Sequence, residues 1–339
     1  MRCKHAAKNK QTNKQTNNIM KMKKELLASL TSAALFGSVA NAEIPLTDDL
    51  SAYGYIDAYY EDTDRGDNLE GGLAEFELGF SFTPAESKWS AVAELSFRDG
   101  RTTEAEDSDG DSDGDTVEVP DDLDFETVTI TYAASDALSF TIGNILSYQG
   151  FETYDATGLF QYSYQGAANS VVYSAGYAYG ASADYATDDY ALGLWVGEAD
   201  DSASVEFLAA YTGIEDLTVK FIYADDPGYE TINIWASYDI AAFTFAAEYT
   251  SNDWDGTFTA GEERAEDTYM ALAYYSFGNA GLTLRYSGGD LENNIEYEKF
   301  TVSPSYAFSD NVFGLLELSY EEVEDEDFTT LAAELIYSF

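Results

Sequence analysis

The last twelve residues, FTTLAAELIYSF from Phe328 to Phe339, constrain the chain more than any other stretch. Leu331, Ala333, Leu335, Tyr337 and Phe339 share one parity, and Ala332, Glu334, Ile336 and Ser338 share the other. Successive side chains of a strand point to opposite faces. Ile336 apart, this is therefore a strand with one apolar face and one that tolerates charge. At the margin of a soluble sheet it would expose both its apolar face and a row of unpaired backbone groups. In a closed barrel whose outer face meets lipid both features are required, because hydrocarbon offers no partner to a free backbone group.

From Leu50 onward no window sustains helical periodicity, and short alternating runs are separated by turn signals. The runs predict strands at 50–60, 72–82, 88–98, 125–132, 137–143, 170–185, 189–197, 205–211, 217–224, 231–238, 243–249, 268–277, 282–287, 299–308, 312–320 and 328–339. The expected fold class is all-β: a transmembrane, antiparallel, up-and-down barrel of about sixteen strands, the reading of the stretch 170–197 setting the range at 14–18. The chain from Glu43 onward leaves about 18 to 19 residues per strand, room for a strand of about ten plus one connection. Short and long connections are expected to alternate, with the short turns and both termini on the periplasmic side.

The N-terminal residues read as processing signals. Basic Lys21, Lys23 and Lys24 precede an apolar run at 26–40 and the small-x-small site Ala40-Asn41-Ala42, so 20–42 is expected to be a secretory signal peptide. The polar, basic stretch 1–19 reads as an upstream extension from a mis-assigned start, and the barrel domain as 43–339. Beyond residue 42 there remain 8 basic and 62 acidic side chains, a net charge of −54. Cys3 and His5, the sole cysteine and histidine, fall in the removed part. Without them there is no disulfide framework and no imidazole for a triad, a zinc site or a general base. Such acidity argues against nucleic acid as a partner. It does not imply disorder, since disordered acidic chains lack aromatics and this one has 27 Tyr and 20 Phe.

Charge is sorted by parity. In LTVKFIY at 217–223 the apolar residues share a face and Lys220 takes the other; Arg285 stands opposite Leu284 and Tyr286, Arg98 opposite Leu95 and Phe97, and Lys299 opposite Phe300 and Val302. The acids Glu75, Glu77, Glu94, Glu248, Glu317 and Glu334 follow the same rule. A cation on the lipid face near the midplane costs about 2–4 kcal/mol. This sorting therefore predicts a water-filled interior, with Arg98, Lys220, Arg285 and Lys299 facing those acids across it. No catalytic residue stands out among so many carboxylates, and the chain is read as a non-enzyme.

Two stretches are candidate loops. The first, 99–124, is acidic: Asp109, Asp111, Asp113 and Gly114 fit the first half of an EF-hand loop, with Asp115 following. Its twelfth position is Pro120 where a bidentate Glu belongs. A solvated acidic surface loop with loosely held Ca²⁺ is the expectation. The second, 144–167, is aromatic, with Tyr148, Phe151, Tyr154, Phe160, Tyr162 and Tyr164. Inside the barrel it would narrow the lumen, and over the rim it would be a lid; the sequence leaves both open.

Within the second stretch Gly143-Asn144, Gly150-Phe151-Glu152 and Tyr162-Ser163-Tyr164, followed by an alternating run, resemble the conserved segment of the OmpL-like β-barrel porins. That pattern has Gly-Lys, Gly-Tyr-Glu and Tyr-Ser-Arg, so Asn144 and Tyr164 remove two cations from it. Tyr53-Gly54-Tyr55-Ile56-Asp57 is similar to the opening strand of many porins. The resemblance implies a bacterial outer-membrane barrel for passive diffusion of small hydrophilic solutes and ions. Outer-membrane lipid is its surroundings, and barrel-insertion machinery meets its C-terminal strand. Homotrimers are common among general porins of this size. The net charge adds a preference for cations. The alternatives are a substrate-specific channel, for example for sugars, and a non-conducting, calcium-associated surface barrel or adhesin.

Overall fold

The computed structural model describes residues 43–339 except 66–68, 99–101, 105–115, 119–121, 153, 168–169, 174–175, 200–201, 255–262, 292–294 and 325. The expected signal segment at 20–42, the stretch 1–19 and Asp109, Asp111, Asp113 and Asp115 of the acidic loop lie outside the described residues.

Sixteen strands build the barrel. They are β1 (Leu50–Thr63), β2 (Leu69–Phe82), β3 (Trp89–Arg98), β4 (Asp122–Ala133), β5 (Leu138–Leu146), β6 (Tyr177–Ala186), β7 (Tyr190–Ala199) and β8 (Ser202–Ile214). The second half comprises β9 (Leu217–Asp226), β10 (Tyr229–Ile240), β11 (Phe243–Trp254), β12 (Glu263–Phe277), β13 (Ala280–Leu291), β14 (Ile295–Ser309), β15 (Val312–Val323) and β16 (Glu326–Ser338). Each pairs antiparallel with the next, and β16 returns to β1 in a register running from Tyr55↔Ser338 to Thr63↔Thr330. The last residue completes the seam. Gly54 N–H donates to the Phe339 carbonyl at 2.8 Å and Phe339 N–H to the Gly54 carbonyl at 2.9 Å. A side chain at position 54 would put its Cβ 2.1 Å from the Glu77 carbonyl, so the closure needs glycine there.

The faces follow the parity read from sequence. Arg285 is fully buried while its neighbour Leu284 is 41% exposed on the outer face. Lys220 and Phe221, Lys299 and Phe300, and Glu334 and Leu335 divide in the same way. Outward aromatics gather near the end that holds the termini, where Phe243 and Tyr275 lie 4.5 Å apart, centroid to centroid, and Tyr306 and Phe308 5.1 Å. Tyr269 and Tyr286 mark the opposite edge. Such girdles place amphipathic rings at the two lipid–water boundaries.

Three expectations need correction. Strand 170–185 is shorter than its alternation implied: β6 begins at Tyr177, and Ser170–Val171 pairs with Glu263 and Arg264 of β12 instead. The reason lies in Tyr173, whose hydroxyl is engaged inside the barrel by Glu248, which pulls the segment off the wall. The inner loop accordingly spans 147–176 instead of 144–167, since Asn144–Leu146 continue β5. The alternation of connection lengths is also incomplete. Connections 99–121 and 147–176 are long, but 200–201 and 227–228 at the same end are as short as the turns opposite.

The third correction concerns the interior, which is not uniformly wet. Phe151, Phe160 and Tyr148 from the loop pack with Trp195, Trp235, Leu208, Ile222, Met270 and Leu272 from β7 to β12 into one buried apolar cluster. Inward positions that would otherwise line water are apolar there because the loop covers them.

Candidate functional site: an inward loop facing an acidic wall

Among its described residues the loop 147–176 has little regular structure, a single turn at Ala156–Gly158 and the two-residue strand Ser170–Val171, so its buried backbone groups need partners from elsewhere. The barrel wall supplies them. Glu206 of β8 accepts the Tyr148 N–H at 2.8 Å and the Ser147 hydroxyl at 2.7 Å. Glu248 of β11 accepts the Phe151 N–H at 2.9 Å and Gln165 Nε2 at 2.7 Å, while Asn233 accepts the Gly150 N–H at 3.3 Å. Glu317 of β15 accepts the Ser163 N–H at 3.0 Å. Carboxylates thus take the loop's donors.

The loop's acceptors go to bases. Arg285 Nη1 donates to the Ser163 carbonyl at 2.6 Å and Nη2 to the Tyr164 carbonyl at 2.9 Å. Lys299 Nζ donates to the Tyr164 and Gly166 carbonyls at 3.0 and 3.3 Å, and lies 3.8 Å from Glu321. At the centre Glu152 of the loop meets Arg285 at 2.6 Å, and also accepts from Gln161 Nε2 and the Gln165 N–H. A buried charge pair is tolerable only when its remaining hydrogen-bonding positions are filled, as they largely are here. Glycine at 150 allows the loop's entry, with φ of +92°.

The aromatic residues divide by depth. Phe151 packs edge-on to Trp235 with centroids 5.5 Å apart, Phe160 sits 5.0 Å from Tyr274, and the buried Tyr148 hydroxyl donates to Asp184 at 2.6 Å. Burial, helped by the Asp184 charge, pushes the Tyr148 hydroxyl well above its ordinary range and keeps it a donor. Tyr162 stacks on Tyr59 of β1 at 6.1 Å. Tyr154 and Tyr164 stay exposed, joined by a hydrogen bond from the Tyr164 hydroxyl to the Tyr154 carbonyl at 2.8 Å.

Opposite the loop stands a wall of a different kind. β1 to β4 turn Asp57, Glu75, Glu77, Glu94 and Glu126 inward, and the loop adds Asp155. Tyr53 donates to Glu94 at 2.6 Å, Tyr55 to Glu75 at 2.7 Å, and Ser96 also to Glu75. Glu334 of β16 is buried beside this wall, in register with Tyr59. Arg98 stands in register opposite Glu75; its side chain is outside the described residues.

The inward residues named from sequence therefore separate into two groups. Glu248, Glu317, Arg285 and Lys299 meet the loop instead of one another across water. Lys220 lies 4.9 Å over the Trp235 ring. Glu75, Glu77 and Glu94 belong to the acidic wall. Sequence reading missed Glu152, Glu206, Asp57, Glu126 and Asp155. Glu206 obeys the same parity rule as the other inward acids and was findable. Glu126 was not, because the register shifts between Ala93 and Leu95 of β3, leaving an extra residue on β4 that re-aims it.

Comparison with known proteins adds the family. The profile described as Gram-negative porin matches residues 29–327. Among solved structures, outer-membrane expressed OmpT of Vibrio cholerae superposes with a TM-score of 0.62 at 12% identity, over 88% of this chain and 100% of that one. A trimer form of in-vitro folded Vibrio cholerae OmpT gives 0.60 at 11%, over 86% and 99%. A mutant of the Rh. blastica porin gives 0.57 at 15%, over 86% and 100%. No curated protein matches by sequence. Structural likeness at such identity speaks to the fold, and the profile to the family: the chain belongs to the Gram-negative porins and is a channel-forming barrel of the outer membrane.

Proposed function

We propose that this porin passes small hydrophilic solutes by passive diffusion and prefers cations. The observation that supports this most is the asymmetry of charge inside the barrel among the described side chains. Arg285 and Lys299 have their charged groups turned to loop carbonyls, whereas β1 to β4 present five carboxylates toward the loop tip. A lumen bordered by one sign of charge between low-dielectric walls concentrates the opposite ion and repels its own. The two cations missing from the motif, at Asn144 and Tyr164, act in the same direction: Asn144 donates to the Glu126 carbonyl, and Tyr164 is turned to Tyr154.

The loop is the narrowing element in this reading, since most of its contacts run along β6 to β15 and solutes would pass on the side of the acidic wall. No enzymatic activity is proposed. A homotrimer is the proposed assembly, by analogy with the trimer form of Vibrio cholerae OmpT. The terminal Phe339 strand is the proposed contact for the barrel-insertion machinery. The test is the zero-current potential of protein refolded in detergent and placed in a planar bilayer under a KCl gradient. A potential of the sign set by K⁺ supports the proposal, and one set by Cl⁻ refutes it.

A further inference from the structure

Glu77 of β2, Glu126 of β4 and Asp155 of the loop come from three separate segments, yet each aims a carboxylate oxygen to within 4.8 Å of the other two. Glu77 is 5% exposed, and among the described residues no donor hydrogen-bonds to it. The charged groups acting on it there are Asp155, Glu94, Glu126 and Glu75, all acids. A buried carboxylate without a counter-charge or donor is costly. Nearby acids raise that cost. A cation between the three oxygens would remove both problems at once.

The spacing admits a cation of calcium's size. Calcium bonds oxygen at about 2.3–2.6 Å, so two ligands on opposite sides of the ion stand about 4.6–5.2 Å apart. Magnesium, at about 2.0–2.1 Å with near-ideal octahedral demands, would need about 4.2 Å at most. Oxygens all within 4.8 Å of one another leave room for an ion of calcium's size, and calcium's tolerance of irregular geometry fits ligands drawn from three separate segments. An all-oxygen, all-carboxylate set is the ligand chemistry of a hard cation.

We infer that Glu77, Glu126 and Asp155 form a binding site for a divalent cation of calcium's size, which ties the loop tip to the acidic wall and throttles monovalent current. The site draws on none of the residues Asp109–Asp115. Its effect on current rests on the cation-conducting reading above; the binding does not. With the tip held by Asp155, the ion bridges the passage between the loop and β2/β4, and its charge repels the cations that the bare wall attracts.

The experiment uses the whole chain refolded in detergent, with CaCl₂ as probe and MgCl₂ as comparison. Calorimetric titration of the wild type is expected to give binding in the range of about 10⁻⁴–10⁻³ M, stronger for Ca²⁺ than Mg²⁺. Glu77→Gln is expected to weaken it by about tenfold or more, the scale seen when groups supporting a metal site are removed. Glu126→Gln should do the same, so a folding defect in one variant does not decide the matter. Replacing Asp109, Asp111, Asp113 and Asp115 together by Asn should leave the Glu77-dependent heat in place. In bilayers, millimolar CaCl₂ should lower the KCl conductance of wild type and not of Glu77→Gln. Calcium binding that is the same in wild type and both glutamine variants would overturn the site; a counter-charge supplied by Arg98, whose backbone stands opposite Glu75, gives that result. Glu77-dependent binding in a channel that proves anion-selective would sink the cation-conduction reading and keep the site. Cation selectivity with no Glu77-dependent binding would do the reverse.

Discussion

Arg285 and Glu152 lie 2.6 Å apart with both side chains shut off from solvent, one from the middle of β13 and the other from the loop that crosses the barrel. The pair joins a wall residue to a segment 133 positions earlier in the chain, and Ser163, Tyr164 and Thr301 complete the arginine's contacts. It ties the middle of the loop to β13, beside the bonds that Glu206, Glu248 and Glu317 make to the loop.

Arg285→Met should therefore loosen the loop. Removing one partner of a buried pair leaves the other charged and unpaired, a loss of about 3–5 kcal/mol, whereas replacing both by apolar groups can be close to neutral. The single variant is expected to unfold at lower urea in detergent and to show larger, noisier conductance. The double variant Arg285→Met, Glu152→Met should recover much of the stability without restoring the wild-type conductance.

On the opposite wall, Glu94 accepts only the Tyr53 hydroxyl among its described hydrogen bonds and is part-buried. Glu94→Lys changes the local charge by two at little structural cost. Zero-current potentials in a KCl gradient should move toward Cl⁻, with the barrel's heat-modifiable gel mobility unchanged. An unmoved potential would show that β3 does not border the ion path.

The same new charge on the outer face should behave differently. Leu284 is exposed on the lipid side of β13. Leu284→Lys should cost about 2–4 kcal/mol in lipid if the site lies near the midplane, and less toward a boundary. Folding into bilayers of known thickness, compared with Glu94→Lys, reads this out as a lower transition midpoint.

Deletion of Phe339 removes the two backbone hydrogen bonds with Gly54 and the ring beside Tyr337 and Phe76. Each such bond contributes about 1 kcal/mol net in water, and leaving the Gly54 groups unpaired costs more. The deleted protein should fold more slowly into detergent and leave a larger heat-unmodified fraction on gels. Phe339→Leu keeps the backbone pairing and should lie between the two.

The strand count, the sorting of charge and the closure were legible because period-two alternation is local: Leu331 to Phe339 states its own outer face wherever the chain goes. The inner aromatic loop was legible as packed, from Tyr148, Phe151 and Phe160, but not as to where. Its length was misjudged at 170–176 because Val171 and Tyr173 alternate like a strand, and only their distant partners in β11 and β12 reveal otherwise.

What the chain determined by itself was which residues face inward, since a strand's pleat assigns faces without reference to its neighbours. What only the tertiary structure decided was what those inward residues meet. Glu248, Glu317, Arg285 and Lys299 look like pore-lining charges in the sequence, yet the folded loop takes them as partners for its own backbone, while Glu75, Glu77, Glu94 and Glu126 gather on the inner side of β2 to β4. Parity is set by bonds between adjacent residues, whereas contact across a barrel depends on register and on where a loop of 30 residues comes to rest. That resting place is fixed by hydrogen bonds to residues up to 154 positions away.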